Sequence, residues 1–286
     1  MKRFVIVLAV VASMFSVQTA LAWAGLGHKT IAQIAENHLT PEAKAMTQKY
    51  LDASLPSVAL WMDRTASWTK KRKGHIPGWE QTSTWHTLVV DERCRVSDVR
   101  PPKGGGNLVP NLKMCIENLK NYRNLTDSAV VVNLKCVIHM VGDMHCPTHF
   151  YFLEFPDCFR SEKDANGKRK PARDRIPVYY NGKKMTYHSF WDGPGITAIY
   201  PEHSNDYNYY ATAFDKGTAK QKAKFCKGGV DDWVHDSAKS CRSVYDRVKS
   251  GDELDRDFIL SYSKMTQKQV LKAGCRLAYI LNECFK

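Results

Sequence analysis

Two pairs of histidine and aspartate at helical spacing are the residues of this chain that point most directly to chemistry. They are His139 with Asp143, and His188 with Asp192. Side chains four residues apart share one helix face, so each pair presents an imidazole and a carboxylate together. One such pair is more typical of a helix surface. Two pairs among aliphatic and aromatic neighbours favour a metal centre, because buried charge needs a partner.

Further histidines follow the first pair. His145 and His149 come next, with Pro147 between them. The residue before a proline disfavours helical geometry, so we expect the helix to end or kink at Cys146. His149 can then turn toward another part of the same cavity. Imidazole and carboxylate ligands with few thiolates suit Zn²⁺, or else Mn²⁺ or Fe²⁺.

The N-terminus has the pattern of a secretory signal. Lys2 and Arg3 precede an apolar run over residues 4–15, and the small residues of 20–22 form an Ala-x-Ala site. This pattern predicts cleavage after Ala22 and a secreted or periplasmic protein. The alternative is an N-terminal membrane anchor.

Such cleavage would expose the amine of Trp23. A free α-amine titrates near pH ~7.7–8 and can bind a metal at neutral pH. His28, five residues further on, can return to the same ion. In the alternative interpretation, Trp23 is an ordinary first residue and His28 is a core histidine.

The rest of the chain predicts one mostly helical domain, residues 23–286, with a β-hairpin or loop excursion. With 43% hydrophobic and 25% charged residues, the composition is globular. After the N-terminus, no apolar stretch approaches the ~20 residues of a membrane span. Helices are predicted at 30–52 (in two pieces), 57–68, 111–123, 127–145, 186–199, 206–225, 230–249, 252–262 and 265–284, a strand at 83–90, loops at 69–80 and 100–111, and the excursion at 156–186.

Charge and cysteine content add weaker signals. The formal charge of +13 fits a polyanionic substrate. The densest basic runs lie at 70–73 and 168–175, where solvated loop surface is the alternative explanation. Nine cysteines in a secreted chain predict disulfides, with at least one cysteine unpaired. Their connectivity stays open.

The ordered motifs resemble the S1/P1 family of secreted zinc nucleases. They span essentially the whole chain after the signal. They are Trp23-x-x-Leu26-Gly27-His28, Trp61-x-Asp63, Trp85-His86, His139-x-x-Gly142-Asp143-x-His145-x-Pro147-x-His149, His188-x-x-Trp191-Asp192 and Gly274-x-Arg276-Leu277-Ala278-x-x-Leu281-Asn282.

The resemblance implies an all-α fold with three zinc ions. The ligands that it implies are Asp63, His86, His139 and Asp143 for the first ion, His149, His188 and Asp192 for the second, and the Trp23 amine and carbonyl, His28 and a bridging Asp63 for the third. Asp143 is the alternative bridging residue. Asp63 is also expected to orient or deprotonate the attacking water, and His145 to orient a ligand by hydrogen bond.

The implied reaction is hydrolysis of single-stranded DNA and RNA to 5′-phosphate products, with 3′-nucleotides as further substrates and a monomeric enzyme. Two departures concern substrate binding. Ala66 replaces an expected arginine, and Thr87 replaces an aromatic that stacks on bases. Trp85, Tyr151 and Phe152 are the candidate stacking surfaces in this chain.

Two other functions stay open. A secreted zinc phospholipase C also begins at a tryptophan and uses three zinc ions, but the spacing from Trp23 to His28 favours the nuclease. A zinc- and nucleic-acid-binding homologue without catalysis is the other alternative, motivated by Ala66.

Overall fold

The computed structural model describes residues 23–65, 80–99, 105–155 and 175–286. Its helices are Ala24–Asn37 (α1), Pro41–Leu51 (α2), Leu55–Val58 (α3), Trp61–Thr65 (α4), Leu108–Lys120 (α5), Asp127–Asp143 (α6), Tyr187–Asp192 (α7), Pro194–Thr197 (α8), Tyr207–Phe214 (α9), Ala219–Phe225 (α10), Val230–Cys241 (α11) and Arg256–Cys284 (α12). Its strands are Leu88–Val90 (β1), Phe150–Phe152 (β2), Pro177–Tyr180 (β3) and Lys183–Thr186 (β4). This architecture confirms the all-α prediction.

Helix starts follow the expected capping chemistry. The side chain of Thr40 accepts a hydrogen bond from the Ala43 amide at 3.2 Å, and Pro41 occupies the first position of α2. The break predicted within 30–52 therefore lies at this cap. Thr126 and Thr186 cap α6 and α7 in the same way.

Several helix predictions were wrong. The segments predicted as single helices at 57–68, 186–199 and 206–225 each overlap two helices, α3 and α4, α7 and α8, and α9 and α10. The two C-terminal helices predicted at 252–262 and 265–284 are a single helix, α12. No glycine or proline interrupts 261–267, and the sequence there offers no reason for the helix to stop. Thr266, placed near the predicted break, is buried within the continuous helix.

The core forms where α12 packs against α1. Gly274 lets the two helices approach closely, since a Cβ at this position would lie 2.4 Å from Cγ2 of Ile34. Helix α6 packs against α5, α12 and α1, and most of its C-terminal half is buried. The first histidine–aspartate pair therefore sits in the interior of the domain.

Two small sheets bring in the remaining site segments. Strand β1 pairs in parallel with β2, with Leu88 opposite Phe150 and Val90 opposite Phe152. This register places His86 and His149, which precede the two strands, side by side. Strands β3 and β4 form an antiparallel hairpin that leads directly into α7, which confirms the hairpin expected in the excursion. Residues 156–174 of that excursion, and 66–79 of the predicted basic loop with the end of the helix predicted at 57–68, lie outside the described residues.

The predictions about membrane spans and disulfides can be compared only with the described residues. Over the described ranges, no helix combines the length and apolar character needed to cross a membrane. The eight cysteines within those ranges are free thiols. Cys158 lies outside them, so disulfide formation stays a prediction.

Candidate metal centre

Eight predicted ligands converge from six segments of the fold. They are His28 on α1, Asp63 on α4, His86 before β1, His139 and Asp143 on α6, His149 before β2, and His188 and Asp192 on α7. We call His28, Asp63, His86, His139 and Asp143 the first group, and His149, His188 and Asp192 the second group.

Asp143 lies at the centre of the first group. Its Oδ1 is 3.2 Å from Nε2 of His28, and its Oδ2 is 2.9 Å from Nδ1 of His86 and 3.2 Å from Nε2 of His139. The two carboxylate oxygens thus face different histidines. Asp143 therefore lies between these histidines, whereas the bridging position was predicted first for Asp63.

Asp63 approaches the first group from the other side. Its Oδ1 lies 3.6 Å from Nε2 of His139 and 3.9 Å from Nδ1 of His86. These three side chains form one cluster with metal-ligand spacing, and His28, His139 and Asp143 form another. The first group therefore contains two overlapping sets of ligands that share His139.

The second group gathers around Asp192. Its Oδ2 is 3.2 Å from Nε2 of His188, and its Oδ1 is 3.7 Å from Nε2 of His149. The backbone nitrogen of Trp23 donates a hydrogen bond to the same Oδ1 at 3.1 Å. The start of α1 is thereby held against the second group, while His28 on the same helix reaches the first group.

Backbone carbonyls fix the orientation of two ligand histidines. Nδ1 of His139 donates to the carbonyl of Ala59 at 2.8 Å, and Nδ1 of His149 donates to the carbonyl of His86 at 2.5 Å. A carbonyl can only accept, so the proton sits on Nδ1 and the Nε2 lone pair faces the cluster. Metal-binding histidines are commonly held in this way.

Several buried polar atoms of these groups lack hydrogen-bond partners. Among the described residues, they include both ring nitrogens of His28, Oδ1 of Asp143 and Nε2 of His149. All three side chains are at most 1% exposed. An unpaired buried polar atom is costly, whereas coordination to cations would satisfy one ring nitrogen of His28, Oδ1 of Asp143 and Nε2 of His149. The donor set therefore fits divalent metal ions.

The pKa shifts of the first group also favour a bound cation. Burial lowers the pKa of His139, but Asp143 and Asp63 outweigh burial and raise the pKa to about 9. Burial raises the pKa of Asp143, yet the neighbouring His139 and His149 hold it well below its ordinary range. The ionised carboxylates of Asp63 and Asp143 are therefore stabilised by positive charge, which a bound cation would supply in place of protons on the histidines.

His188 differs, since burial lowers its pKa to about 4 although Asp192 opposes the shift. Its imidazole is therefore neutral at pH 7, the form that binds a metal.

His145 connects the ligand segment to the C-terminal helix. Nδ1 of His145 donates to the carbonyl of Val141 at 2.7 Å, and Nε2 accepts from Nη1 of Arg276 at 2.7 Å. Arg276 also donates to Asp236 at 2.7 Å, and Lys272 reaches the same carboxylate at 2.6 Å. His145 was predicted to orient a ligand directly. In the structure, its side-chain partners are instead a backbone carbonyl and Arg276.

The predicted base-stacking residues divide by strand geometry. Successive strand residues point to opposite faces, so Tyr151 faces away from Phe150 and Phe152. Trp85 and Tyr151 are half-buried at the surface, and Phe152 is fully buried against Phe155 and Tyr245. The prediction for Phe152 is corrected accordingly, since no base can reach it. Ala66 and the basic runs at 70–73 and 168–173 lie outside the described residues.

One residue near the second group was missed by the sequence analysis. Cys146 is fully buried, and its sulfur lies in a cluster with His149 and Asp192 that has metal-ligand spacing. Its place inside the histidine string, between His145 and Pro147, was the available signal.

Comparison with known proteins agrees with the motif analysis. The model of the S1/P1 nuclease family matches residues 23–286. The chain is 24% identical to Endonuclease 4 of Arabidopsis thaliana over 93% of this chain and 90% of that protein. It is 25% identical to Endonuclease 5 of the same plant, over 94% and 92% of the two chains. It is 26% identical to Nuclease S1 of Aspergillus oryzae over 61% of this chain and 55% of that protein.

Proposed function

Because this chain belongs to the S1/P1 nuclease family, we propose that it is a zinc-dependent endonuclease that cleaves single-stranded DNA and RNA. Membership makes the protein a hydrolase of phosphodiester bonds, acting on nucleic acid. Zinc, the single-strand preference, 5′-phosphate products and action on 3′-nucleotides belong to the proposal. The observation that carries it is the convergence of His28, His139 and Asp143 with buried polar atoms that lack partners.

We propose that the first and second groups hold three zinc ions. Asp63, His86, His139 and Asp143 would hold one ion, and His149, His188 and Asp192 another. His28, the amine and carbonyl of Trp23, and Asp143 would hold the third. Asp143 takes the shared position because its two oxygens face different histidines. Bound zinc would activate water and neutralise charge on the phosphate oxygens.

The chain's own residues would then orient the water and handle its proton. Asp63 is the most exposed carboxylate of the first group, with 8% of its side chain exposed, whereas Asp143 is fully enclosed. Asp63 is therefore the residue that substrate and water can reach, and we propose that it accepts the proton of the attacking water. The 3′-oxygen leaves, so the product keeps a 5′-phosphate.

Two aromatic side chains support a single-strand preference. Trp85 precedes His86, and Tyr151 lies two residues after His149, so both flank the ligand segments. Both are half-buried and thus partly open to a ligand. Stacking of an aromatic on a base is worth ~1–3 kcal/mol and requires an unpaired base. Duplex DNA would not offer that surface.

The assay that tests the proposal uses the chain beginning at Trp23. It is incubated with heat-denatured DNA, duplex DNA and RNA, with and without a zinc chelator. We expect chelator-sensitive release of products with 5′-phosphates from the single strands. Hydrolysis of phosphatidylcholine instead would favour the phospholipase, and polynucleotide binding without acid-soluble product would favour the non-catalytic homologue.

We also propose that removal of residues 1–22 activates the protein, which is then secreted or periplasmic. The Trp23 nitrogen already lies 3.1 Å from Asp192 as a backbone amide, and cleavage would turn it into an amine that can bind metal. Chains beginning at Trp23 and at an added methionine before it should differ in zinc content and rate. Equal zinc and equal rate would refute this proposal.

A further inference from the structure

We propose that Cys146 supplies a thiolate ligand to the metal ion of the second group, an inference that rests on the proposed metal centre. No residue of the predicted zinc sites is a cysteine. Cys146 lies between two residues of the histidine string, and its backbone is extended where α6 has ended. This conformation separates its side chain from the face of α6 that carries His139 and Asp143.

The position of the sulfur is the first support. Sγ of Cys146 lies 4.0 Å from Oδ1 of Asp192 and 3.9 Å from Oγ1 of Thr148. Two ligand atoms on a tetrahedral zinc ion, with bonds of ~2.3 Å to sulfur and ~2.0 Å to oxygen, lie about 3.5 Å apart. A contraction of about half an ångström would therefore bring Cys146 and Asp192 onto one ion.

A second, independent observation points to a ligand at the same place. Nε2 of His149 is buried and has no hydrogen-bond partner among the described residues, while Nδ1 is occupied by the carbonyl of His86. The ligand atoms of Cys146, His149 and Asp192 lie within 4.8 Å of one another. A histidine lone pair, a carboxylate and a sulfur thus face one enclosed point.

The charge of the second group supports an additional anion. Asp192 is the one carboxylate that the proposal gives to the ion of the second group. A divalent cation held by Asp192 and two neutral imidazoles would leave one net positive charge in a buried site. Coordination of Cys146, with release of its thiol proton to solvent, makes the site neutral.

Two other buried cysteines in the described residues have different partners. Sγ of Cys241 is directed to the carbonyl of His145 at 3.8 Å, and Sγ of Cys284 to the carbonyl of Ile116 at 3.8 Å. These thiols meet backbone oxygen, whereas Cys146 meets a carboxylate beside a histidine. Cys241 is therefore a matched control, since it is buried close to the same segment.

Cobalt substitution tests the inference by a signal independent of activity. The chain beginning at Trp23 is loaded with Co²⁺, and its metal content is measured together with its near-ultraviolet absorption. We expect a sulfur-to-cobalt charge-transfer band in the unsubstituted chain and in Cys241→Ser, and no band in Cys146→Ser. Cys146→Ser should also weaken one site by more than about tenfold, since losing a ligand exceeds the loss of an outer-shell partner.

Each alternative result has a distinct meaning. Cobalt bound without a charge-transfer band, or a band that persists in Cys146→Ser, overturns the thiolate ligand and leaves the nuclease proposal intact. A chain that binds no cobalt and shows no chelator-sensitive cleavage overturns both. If Cys146→Ser does not fold, cadmium-113 NMR of the unsubstituted chain decides the question. One resonance shifted downfield into the thiolate range supports the ligand, and its absence refutes it.

Discussion

The two histidine–aspartate pairs have the same spacing in the sequence but occupy different settings in the fold. His139 and Asp143 end the 17-residue helix α6, which is anchored in the core. His188 and Asp192 lie on the six-residue helix α7, which follows a surface hairpin. The spacing places an imidazole beside a carboxylate in both pairs. The segments that pack against each helix determine how many other candidate ligands lie near its pair.

The first pair is surrounded by more ligands than the second. His28, His86 and Asp63 reach it from three other segments, so two sets of ligands overlap there. The second pair is met by His149, the start of α1 and, as we propose, Cys146. Removing one residue of the first pair should therefore disturb more than one ion, and removing one residue of the second pair should disturb one.

The largest expected effect is that of Asp143→Asn. This variant should lose more than one metal ion per chain, because the two oxygens of Asp143 face different histidines. Its kcat/KM on single-stranded DNA should fall by more than about 100-fold, since loss of outer-shell partners alone costs about 10–100-fold. Elemental analysis of Asp143→Asn, Asp63→Asn and Asp192→Asn provides the comparison. Greater metal loss in Asp63→Asn would restore Asp63 as the shared residue.

The hydrogen bonds of Arg276 with His145 and Asp236, next to the first pair, should contribute most to stability. Arg276→Gln leaves the buried Nε2 of His145 without its donor, while Asp236 keeps Lys272, so the free energy of unfolding should fall by about 1–3 kcal/mol. Urea unfolding measures this loss, with the exposed Arg93→Gln as the control. An equal effect of the two substitutions would contradict the prediction.

The same network predicts a dependence on pH. Burial raises the pKa of Asp236, but Lys272 and Arg276 outweigh burial and lower it. A lowered folded-state pKa gives stability that is present above the unfolded value of about 3.9. That stability disappears as the pH falls through the folded value. Arg276→Gln should therefore lose less stability than the unsubstituted chain when the pH falls through this range.

A smaller effect is expected from the glycines beside the two carboxylates. A Cβ on Gly142 would lie 2.5 Å from Nδ1 of His28, whereas a Cβ on Gly193 would meet the Ser189 carbonyl at an ordinary 3.5 Å. Gly142→Ala should cost about 1–3 kcal/mol by overpacking and should displace His28 from its site. Gly193→Ala is the control. Thermal unfolding and metal content measure both changes, and full metal binding by Gly142→Ala would refute the prediction.

The smallest effect concerns the caps of the two helices. Thr186 accepts a hydrogen bond from the Ser189 amide at 3.0 Å, and Thr126 caps α6 similarly at 3.3 Å. Substitution of either threonine by alanine should cost about 1 kcal/mol. Only Thr186→Ala should also weaken the second group, because α7 has six residues and begins next to His188. Equal metal affinities in the two variants would refute this difference.

Much of the fold was predictable because its signals are local. The cap at Thr40 and Pro41 and the helical spacing of apolar residues fixed the start of α2 and the position of α6. The end of α6 before Pro147 followed from the sterics of proline. The continuity of α12 was missed although it was locally predictable, since no glycine or proline interrupts residues 261–267.

The sequence by itself determined the ligand types. Residue identity sets the chemistry, and a spacing of four sets which side chains share a helix face. The resemblance to the S1/P1 family supplied the other predicted ligands, and the structure brings those residues together. Three features were decided by the tertiary structure alone. Each oxygen of Asp143 faces a different histidine, Phe152 is buried, and Sγ of Cys146 faces Asp192. These relations join residues that are distant in the chain or turned by its loops, so they depend on packing, which no local spacing encodes.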